Sequence, residues 1–307
     1  MIALDATVVR PPYSGVQYAV RSQALAWQQL HPQDAIFASN SELRAHTPSL
    51  PARLRSPHWR ILWQQSQLPR LLKSHAAEHL LALAYTAPLR CPVPYTLEVH
   101  DTIALRRPEL CSRLNALHMR CLMPRAIRGA RHIITAASAE ADHIMRIAGV
   151  PTSRIHRVPL ALDPIFLRTP QAAAERPPYL LFVGNIEPKK GLGTLLDAFA
   201  EFADLDLILV GRAGWKCKAL LARVANTPRV HWLGRVPREA LLALYAGACA
   251  FVFPSIEEGF GLPLLEAMAL GTPVIHSDLP VLAESANGFG QEFPVGNAPA
   301  LASAIRD

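Results

Sequence analysis

The stretch PSIEEGFGLPLLEAMALGTPVI, residues 254–275, decides the fold of the second half of the chain. It continues the apolar run AFVF, which is typical of a buried strand. Gly259 and Gly261 then precede Pro263, a favoured first residue of a helix, and Gly271 closes the helix. A strand, a glycine-containing loop and a helix in this order predict one unit of a parallel α/β sheet.

The loop of this stretch has the features of a phosphate site. Its two glycines carry no side chain, so the peptide N–H groups of Phe260, Gly261 and Leu262 can approach an anion at the helix N-terminus. Glu258 lies in the loop and Glu266 about one turn inside the helix, where a carboxylate can accept hydrogen bonds from ribose hydroxyls. The alternative is that both glutamates only complement the positive end of the helix, which leaves the glycines unexplained.

A second loop with an unusual charge pattern follows the predicted strand at 179–183. Its sequence GNIEPKKG places Lys189 and Lys190 at the start of a helix, where cations oppose the helix dipole. We therefore expect an anionic partner there, although two solvated lysines in a turn are the alternative. The spacing does not fit a Walker A loop, which would require a glycine at 189.

Strand-like runs alternate with helical patterns along the whole chain, which predicts parallel sheets covered by helices. The predicted strands are MIALD, AIFAS, HLLALAY, YTLEV, RHIITA, YLLFVG, LDLILVG, VHWLG, AFVFPS and PVIHS. The predicted helices are 16–30, 108–128, 139–148, 192–203, 216–226, 238–247 and 263–270. We expect an α/β protein with doubly wound domains at 1–168 and 179–307, a linker at 169–178, and a ligand cleft between the two domains.

Two junctions in the first half have weaker patterns. Ser14 is a plausible N-cap, and Gly15 allows a close backbone approach before the first helix. His100 and Asp101 follow the strand YTLEV, where a histidine can bond a sugar or phosphate, or move a proton. A structural histidine or a helix cap is the alternative.

Composition narrows the function classes. Residues 1–172 carry 20 Lys and Arg against 10 Asp and Glu, a net +10, and residues 173–307 carry 11 against 14, a net −3. The basic half could face nucleic acid, anionic lipid or a phosphorylated substrate, but no nucleic-acid-binding motif is present. The alternative is a well-solvated surface without such a partner. No histidine spacing indicates a metal site. Asp5 and Arg10 interrupt any signal peptide, and five cysteines without a CxxC pair indicate reduced thiols and a cytoplasmic location.

The stretch EEGFGLPLLEAMALGTPVI, together with FVGNIEPKKGLGTLLDAF, LEVHD and YSGVQY, resembles the retaining, nucleotide-sugar-dependent glycosyltransferases of family 4, also called group 1. The resemblance covers nearly the whole chain and implies the GT-B fold. It implies that Lys189, Lys190 and the amides from Gly259 to Leu262 bind the donor diphosphate. The loop form GNIEPKKG is similar to mannosyl- and rhamnosyl-type members, which favours a GDP-linked donor.

The resemblance also implies roles for the remaining candidates. Glu258 would lie near the diphosphate and the transferred sugar, and Glu266 would hold the ribose. His100 would contact the sugar, which makes Glu258, His100 and Lys190 the candidate catalytic residues. Gly15 would let the N-terminal loop close over the phosphates. The residues implied near the nucleotide base are Arg235 and Val236.

Two features depart from the family pattern. Asn185 stands where many members carry an arginine for the diphosphate. The chain also ends at LASAIRD, so we expect it to lack the C-terminal helix that crosses back to the first domain in the family.

The function implied is transfer of a hexose to a hydroxyl of a glycan or lipid-linked acceptor, with retention and without metal or cofactor. The expected context is the biosynthesis of bacterial lipopolysaccharide or cell-surface polysaccharide. The alternatives are a nucleotide-sugar epimerase of the same fold and a nucleotide-binding remnant without catalysis.

The stretch LPARLRSPHWRILWQQ (50–65) raises a further interpretation. It mixes Arg53, Arg55 and Arg60 with Trp59 and Trp63, which would suit an anionic membrane surface at the inner face of the cell membrane. The alternative is an aromatic pair packed in the core under solvated arginines.

Overall fold

The computed structural model describes residues 1–11, 13–40, 42–43, 57–169 and 177–307. The chain divides into two compact units. The first comprises Met1–Pro108 and Arg113–Ala161, and the second comprises Glu109–Ser112 and Leu162–Asp307.

The first unit is built on a six-stranded parallel sheet with the strand order β2-β1-β3-β4-β5-β6. This order reverses direction between β1 and β3, the point where open α/β sheets bind ligands. The strands are β1 (Ile2–Asp5), β2 (Ala35–Phe37), β3 (His79–Ala82), β4 (Tyr95–Glu98), β5 (His132–Thr135) and β6 (Ile155–Arg157). Its helices are α1 (Gly15–Leu30), α2 (Pro57–Ser66), α3 (Leu68–Ser74), α4 (Ile103–Arg106), α5 (Arg113–Gly129) and α6 (Ser138–Ala148).

The second unit also has a six-stranded parallel sheet, with the order β12-β11-β10-β7-β8-β9. The direction reverses between β7 and β10, as in a dinucleotide-binding sheet. The strands are β7 (Tyr179–Val183), β8 (Asp206–Val210), β9 (Val230–Gly234), β10 (Ala250–Phe253), β11 (Val274–Ser277) and β12 (Gln291–Phe293). Its helices are α7 (Leu192–Phe199), α8 (Lys218–Asn226), α9 (Arg238–Ala246), α10 (Leu262–Ala269), α11 (Pro280–Ala286) and α12 (Ala298–Arg306).

The sequence periodicity is reproduced in the core of the second unit. The face predicted for α7 packs against β7 and β8, and its four residues, Leu192, Leu195, Leu196 and Phe199, are all buried. The strands of this sheet are apolar on both faces, as expected for a parallel sheet that helices cover on both sides.

Each predicted strand is present, usually one or two residues shorter than predicted, and the α/β fold class is confirmed. The predicted helix at 108–128 begins only at Arg113, after a 3₁₀ turn at Pro108–Leu110. The prediction lacked the short edge strands β6 and β12 because IHR and QEF show no apolar alternation. Such strands form because a neighbour supplies the hydrogen bonds.

The division between the units falls after Ala161 instead of after residue 168. The reason is that Phe166, in the 3₁₀ turn Pro164–Leu167, is fully buried and packs edge-on against Tyr245 of α9. Most of the sequence predicted as linker, 170–176, lies outside the described residues.

The tryptophan-arginine stretch separates into buried and exposed parts. Trp63 and Arg60 on α2 are buried, and Trp59 is 48% exposed. Arg53 and Arg55 lie outside the described residues. Among the helices of the described chain, none combines the length and the apolar character needed to cross a bilayer.

Candidate nucleotide-sugar site

The two loops of the second half that are predicted to bind phosphate, 184–190 and 254–261, follow β7 and β10. These two strands are neighbours at the point where the strand order of the sheet reverses. β7 and β10 pair in parallel, with Leu180 opposite Ala250 and Leu181 opposite Phe251. Their carboxyl ends therefore lie side by side, and the loop 184–190 emerges next to the loop 254–261. This pairing brings together two segments that are about 70 residues apart in sequence.

Tight backbone packing joins the two loops. Gly191 has a φ of +64°, and a side-chain carbon on it would overlap the carbonyl oxygen of Pro254. The carbonyl of Lys189 accepts a hydrogen bond from the peptide N–H of Ile256 at 2.8 Å. The glycine is required here because the close approach excludes a Cβ, and the left-handed turn also disfavours one.

The packed loops bring Lys190 and Glu258 into direct contact. The Lys190 Nζ donates to Glu258 Oε1, and Ser255 Oγ donates to the same oxygen at 3.3 Å. The ammonium group also lies 5.1 Å from the centre of the Phe253 ring. Both charged side chains are mostly buried, with 13% and 11% of the side chain exposed. A cation and a carboxylate are thus held together where two loops meet.

Unpaired peptide N–H groups follow Glu258. Among the described residues, the backbone N–H groups of Gly259, Phe260, Gly261 and Leu262 donate no hydrogen bond. The two glycines are buried and the other two residues are half-buried. Gly261 is the N-cap of α10 in the left-handed conformation, with a φ of 95°. Buried donors without partners at a helix N-terminus are suited to an anion such as phosphate.

Glu266 lies inside α10 in a different environment. Its Oε2 accepts a hydrogen bond from the hydroxyl of Tyr245 on α9 at 3.0 Å. Its Oε1 lies 3.7 Å from a guanidinium nitrogen of Arg238. Burial raises the pKa of Glu266 from 4.5 to about 7, although Arg238 and the Tyr245 hydroxyl oppose the shift. The carboxylate therefore titrates close to neutral pH.

The other candidates of the second half lie in loops that follow β7 and β9. Asn185 donates from Nδ2 to Glu187 Oε1 at 3.1 Å, so it belongs to the 184–190 loop itself. Arg235 and Val236 follow β9; Arg235 is exposed and Val236 half-buried. Their implied proximity to a base stays a prediction.

The candidates of the first half lie in the first unit. Ser14 is the N-cap of α1, as predicted, and its N–H donates to Gln17 Oε1 at 3.0 Å. Gly15 is the exposed first residue of α1, and no atom lies within 4 Å of the position of a Cβ. The predicted closure of this loop over the phosphates stays a prediction.

His100 follows β4 and is buried. Its Nε2 donates to the carbonyl of Leu83 at 2.9 Å, which fixes this nitrogen as the protonated one. Its Nδ1 lies 3.7 Å from Glu98 Oε1. Only the Nδ1 edge of the ring is left for a sugar, and the predicted contact stays a prediction.

Comparison with known proteins identifies the family of the chain. The sequence model of the family described as Glycosyl transferases group 1 matches residues 165–307. O-antigen chain mannosyltransferase B from Escherichia coli is 31% identical over 238 residues, which cover 69% of the chain and 62% of that protein. The chain belongs to the group 1 glycosyltransferases.

A second relative of this group 1 glycosyltransferase is O-antigen chain mannosyltransferase RfbU from Salmonella typhimurium. It is 29% identical over 238 residues, which cover 76% of the chain and 65% of that protein. The matched part of the chain thus spans less than two thirds of the length of either relative.

Solved structures show the same fold. Sucrose-phosphate synthase from Thermosynechococcus elongatus superposes with a TM-score of 0.79 at 20% identity, over 99% of the chain and 88% of that protein. WaaG, a glycosyltransferase involved in lipopolysaccharide biosynthesis, gives 0.78 at 16% identity, over 100% of the chain and 91% of WaaG. At such identities the likeness is one of fold alone, and it confirms the two-unit α/β GT-B fold.

Two residues that lie against Glu266 of this group 1 glycosyltransferase, Arg238 and Tyr245, were missed in the sequence. Arg238 lies 3.1 Å from Asp163 Oδ2 and stacks over the Phe166 ring at 4.7 Å. Tyr245 is fully buried. Two signals could have indicated them: an arginine at a helix start opposes the dipole, and a tyrosine in an apolar helix needs a partner for its hydroxyl.

Proposed function

We propose that the protein transfers a hexose from a nucleotide sugar, with a GDP-mannose-type donor, to a hydroxyl of a glycan or lipid-linked acceptor. The contact between Lys190 and Glu258, next to unpaired peptide N–H groups at the start of α10, carries this proposal. The names of the relatives, which are O-antigen mannosyltransferases, support the mannosyl donor and a role in lipopolysaccharide or surface polysaccharide biosynthesis.

The arrangement is suited to stabilising a leaving diphosphate. Cleavage of the bond between the sugar and the nucleotide leaves negative charge on the phosphates. Lys190 and the amides of Gly259 to Leu262 supply fixed positive charge and donors for it, and removal of one such contact typically costs about a hundredfold in rate. Binding the diphosphate would draw the Lys190 ammonium away from Glu258, which frees this carboxylate to orient the sugar.

Retention follows if the acceptor attacks from the face that the diphosphate leaves. The departing phosphate would then accept the proton of the acceptor hydroxyl. Glu266 would accept hydrogen bonds from the ribose hydroxyls, and His100 would bond the transferred sugar through Nδ1. Gly15 would allow the loop before α1 to approach the phosphates.

The reaction is further proposed to need no metal or cofactor, because Lys190 and the helix N-terminus can offset the charge of the diphosphate. Transfer assayed after dialysis against EDTA should proceed at the rate measured without chelator. A rate that falls with EDTA and returns only with Mg²⁺ or Mn²⁺ would contradict this part of the proposal.

We also propose a cytoplasmic location at the inner face of the cell membrane, because the proposed acceptor is linked to a lipid. Of the tryptophan-arginine stretch, Trp59 offers an exposed aromatic side chain, whereas Trp63 and Arg60 are buried. Flotation with vesicles that contain anionic phospholipid should recover the protein at low salt and release it at high salt. Absence of binding at low salt would refute a membrane partner.

One assay separates the candidate activities. Nucleotide release is measured with a panel of nucleotide sugars, with and without an acceptor fraction from bacterial lipids. Acceptor-dependent release supports transfer, conversion of the sugar without acceptor supports an epimerase, and binding without turnover supports a non-catalytic remnant. A thermal shift with GDP larger than with UDP would support the GDP-linked donor, since a ligand at a hundredfold excess over its Kd stabilises by about 2.7 kcal/mol.

A further inference from the structure

A buried carboxylate in the first unit takes no part in the site described above. Glu140 lies in the first turn of α6 and is 1% exposed. The N-cap of this helix is Ala137, whose side chain cannot cap the helix. Glutamate in a first helical turn is common, but burial of the whole side chain needs a further explanation.

The contacts of Glu140 lead away from its own helix. Its Oε2 accepts hydrogen bonds from the peptide N–H of Thr102 at 2.9 Å and from the Thr102 hydroxyl at 2.8 Å. Its Oε1 accepts a charge-assisted hydrogen bond from Arg106 at 3.1 Å. Arg106 Nε in turn donates to the Thr102 hydroxyl at 3.0 Å. The three side chains form a closed ring of hydrogen bonds, which we call the Glu140 latch.

The latch holds the loop between β4 and α4, which contains His100 and Asp101. Thr102 follows these residues directly. The carboxylate of Asp101 accepts from the Tyr85 hydroxyl at 2.8 Å and from the Ile103 N–H at 3.0 Å. The loop is therefore fixed by His100 on one side and by Thr102 on the other, and Glu140 is the only side chain among its described partners that comes from α6.

The surroundings of Glu140 make its charge sensitive to pH. Burial and the nearby Asp101 raise its pKa to about 7, and the Thr102 bonds and Arg106 oppose the shift. From α6 itself, His143 Nδ1 lies 3.5 Å from Oε1, and its pKa is lowered by burial, Arg106 and Arg146. On α5, which packs against α4 and α6, His118 is the half-buried titratable side chain. A protonated Glu140 would lose the charged bond to Arg106.

We propose that Glu140 is a positioning residue, which holds the β4–α4 loop through Thr102 and Arg106 so that His100 meets the transferred sugar. This inference rests on the proposed function for the contact of His100 with the sugar. The latch itself is independent of that function, because all of its bonds join residues of the first unit.

The test compares Glu140→Gln with Asp142→Asn. The control removes one negative charge from the same helix at an exposed position and leaves the latch intact. Transfer is measured at saturating donor from about pH 6 to about pH 8.5. In the wild type and the control, kcat should rise as Glu140 ionises near neutral pH. In Glu140→Gln, kcat should be about tenfold lower above pH 8 and lose this rise, while the Kd for GDP stays within about twofold.

A second measurement does not depend on activity. Hydrogen exchange of the Thr102 and Ile103 amides should be about tenfold faster in Glu140→Gln than in the control at equal pH. If Glu140→Gln fails to fold, Thr102→Val replaces it in the test. This variant removes the two hydrogen bonds of the Thr102 hydroxyl without a change of charge. It should lower kcat and speed up amide exchange in the loop, each by less than is expected for Glu140→Gln.

The outcomes separate the two proposals. If the wild type transfers no sugar but exchange follows the expectation, the latch stands and the proposed function fails. Wild-type kcat and pH profile in Glu140→Gln, or unchanged exchange in the loop, would overturn the positioning role.

Discussion

Replacement of Gly191 by alanine should unfold the junction between the two loops of the nucleotide site. Gly191 has a φ of +64°, and its Cβ would overlap the Pro254 carbonyl oxygen and lie 2.8 Å from the carbonyl carbon. Both atoms belong to the backbone, so no side-chain rotation relieves the clash. The two loops must separate or the substitution must distort them.

A matched control isolates the clash from the backbone strain. Gly271 also has a left-handed φ, at +73°, but no atom lies within 4 Å of its Cβ position. Gly271→Ala should therefore cost only the strain, about 1 kcal/mol once the reduced entropy of the unfolded chain is included. Gly191→Ala adds an overpacking cost of about 1–3 kcal/mol, for a total of about 2–4 kcal/mol.

Calorimetric scans with and without GDP provide the assay. The transition that moves with GDP belongs to the unit that binds the nucleotide. At about 2–4 °C per kcal/mol, Gly271→Ala should lower its Tm by about 3 °C and Gly191→Ala by about 10 °C. The Kd for GDP should rise at least tenfold only in Gly191→Ala. Equal Tm values and equal GDP affinities in the two variants would refute the claim that this packing holds Lys190 in place.

Four further predictions concern Lys190, Glu266 and Tyr245 of the same unit. Lys190→Ala should lower kcat for transfer about a hundredfold, and a wild-type rate would exclude Lys190 from charge stabilisation. GDP affinity should rise as pH increases through about 7 in the wild type, because Glu266 must ionise to accept the ribose hydroxyls; calorimetric titrations of Glu266→Gln should show no such rise. The raised pKa also means that the free energy of unfolding falls by up to about 3 kcal/mol as the pH rises from about 4.5 to about 7. Urea titrations of Glu266→Gln should lack this fall. Tyr245→Phe should cost about 1 kcal/mol of stability and shift the pH dependence of GDP binding to higher pH, since its hydroxyl bond holds the Glu266 pKa down; an unshifted profile would contradict this role.

Much of the fold can be predicted from the sequence because its strongest signals are local. Apolar runs of strand length and the helical spacing of Leu192, Leu195, Leu196 and Phe199 depend only on residues close in sequence. The edge strands β6 and β12 lack such a local signal. They form because a neighbouring strand offers them hydrogen bonds, and the nearby sequence does not reveal this.

The sequence by itself determined the α/β class, the glycine loop before α10 and the residue types of a diphosphate site, because these follow from local pattern and chemistry. Only the tertiary structure decided that Lys190 pairs with Glu258, 68 positions away, since the pairing of β7 with β10 places both loops at one edge of the sheet. Tertiary packing likewise buried Glu266 against Tyr245 and Glu140 against Thr102. A carboxyl pKa near 7 is a consequence of this burial, and no feature of the nearby sequence contains it.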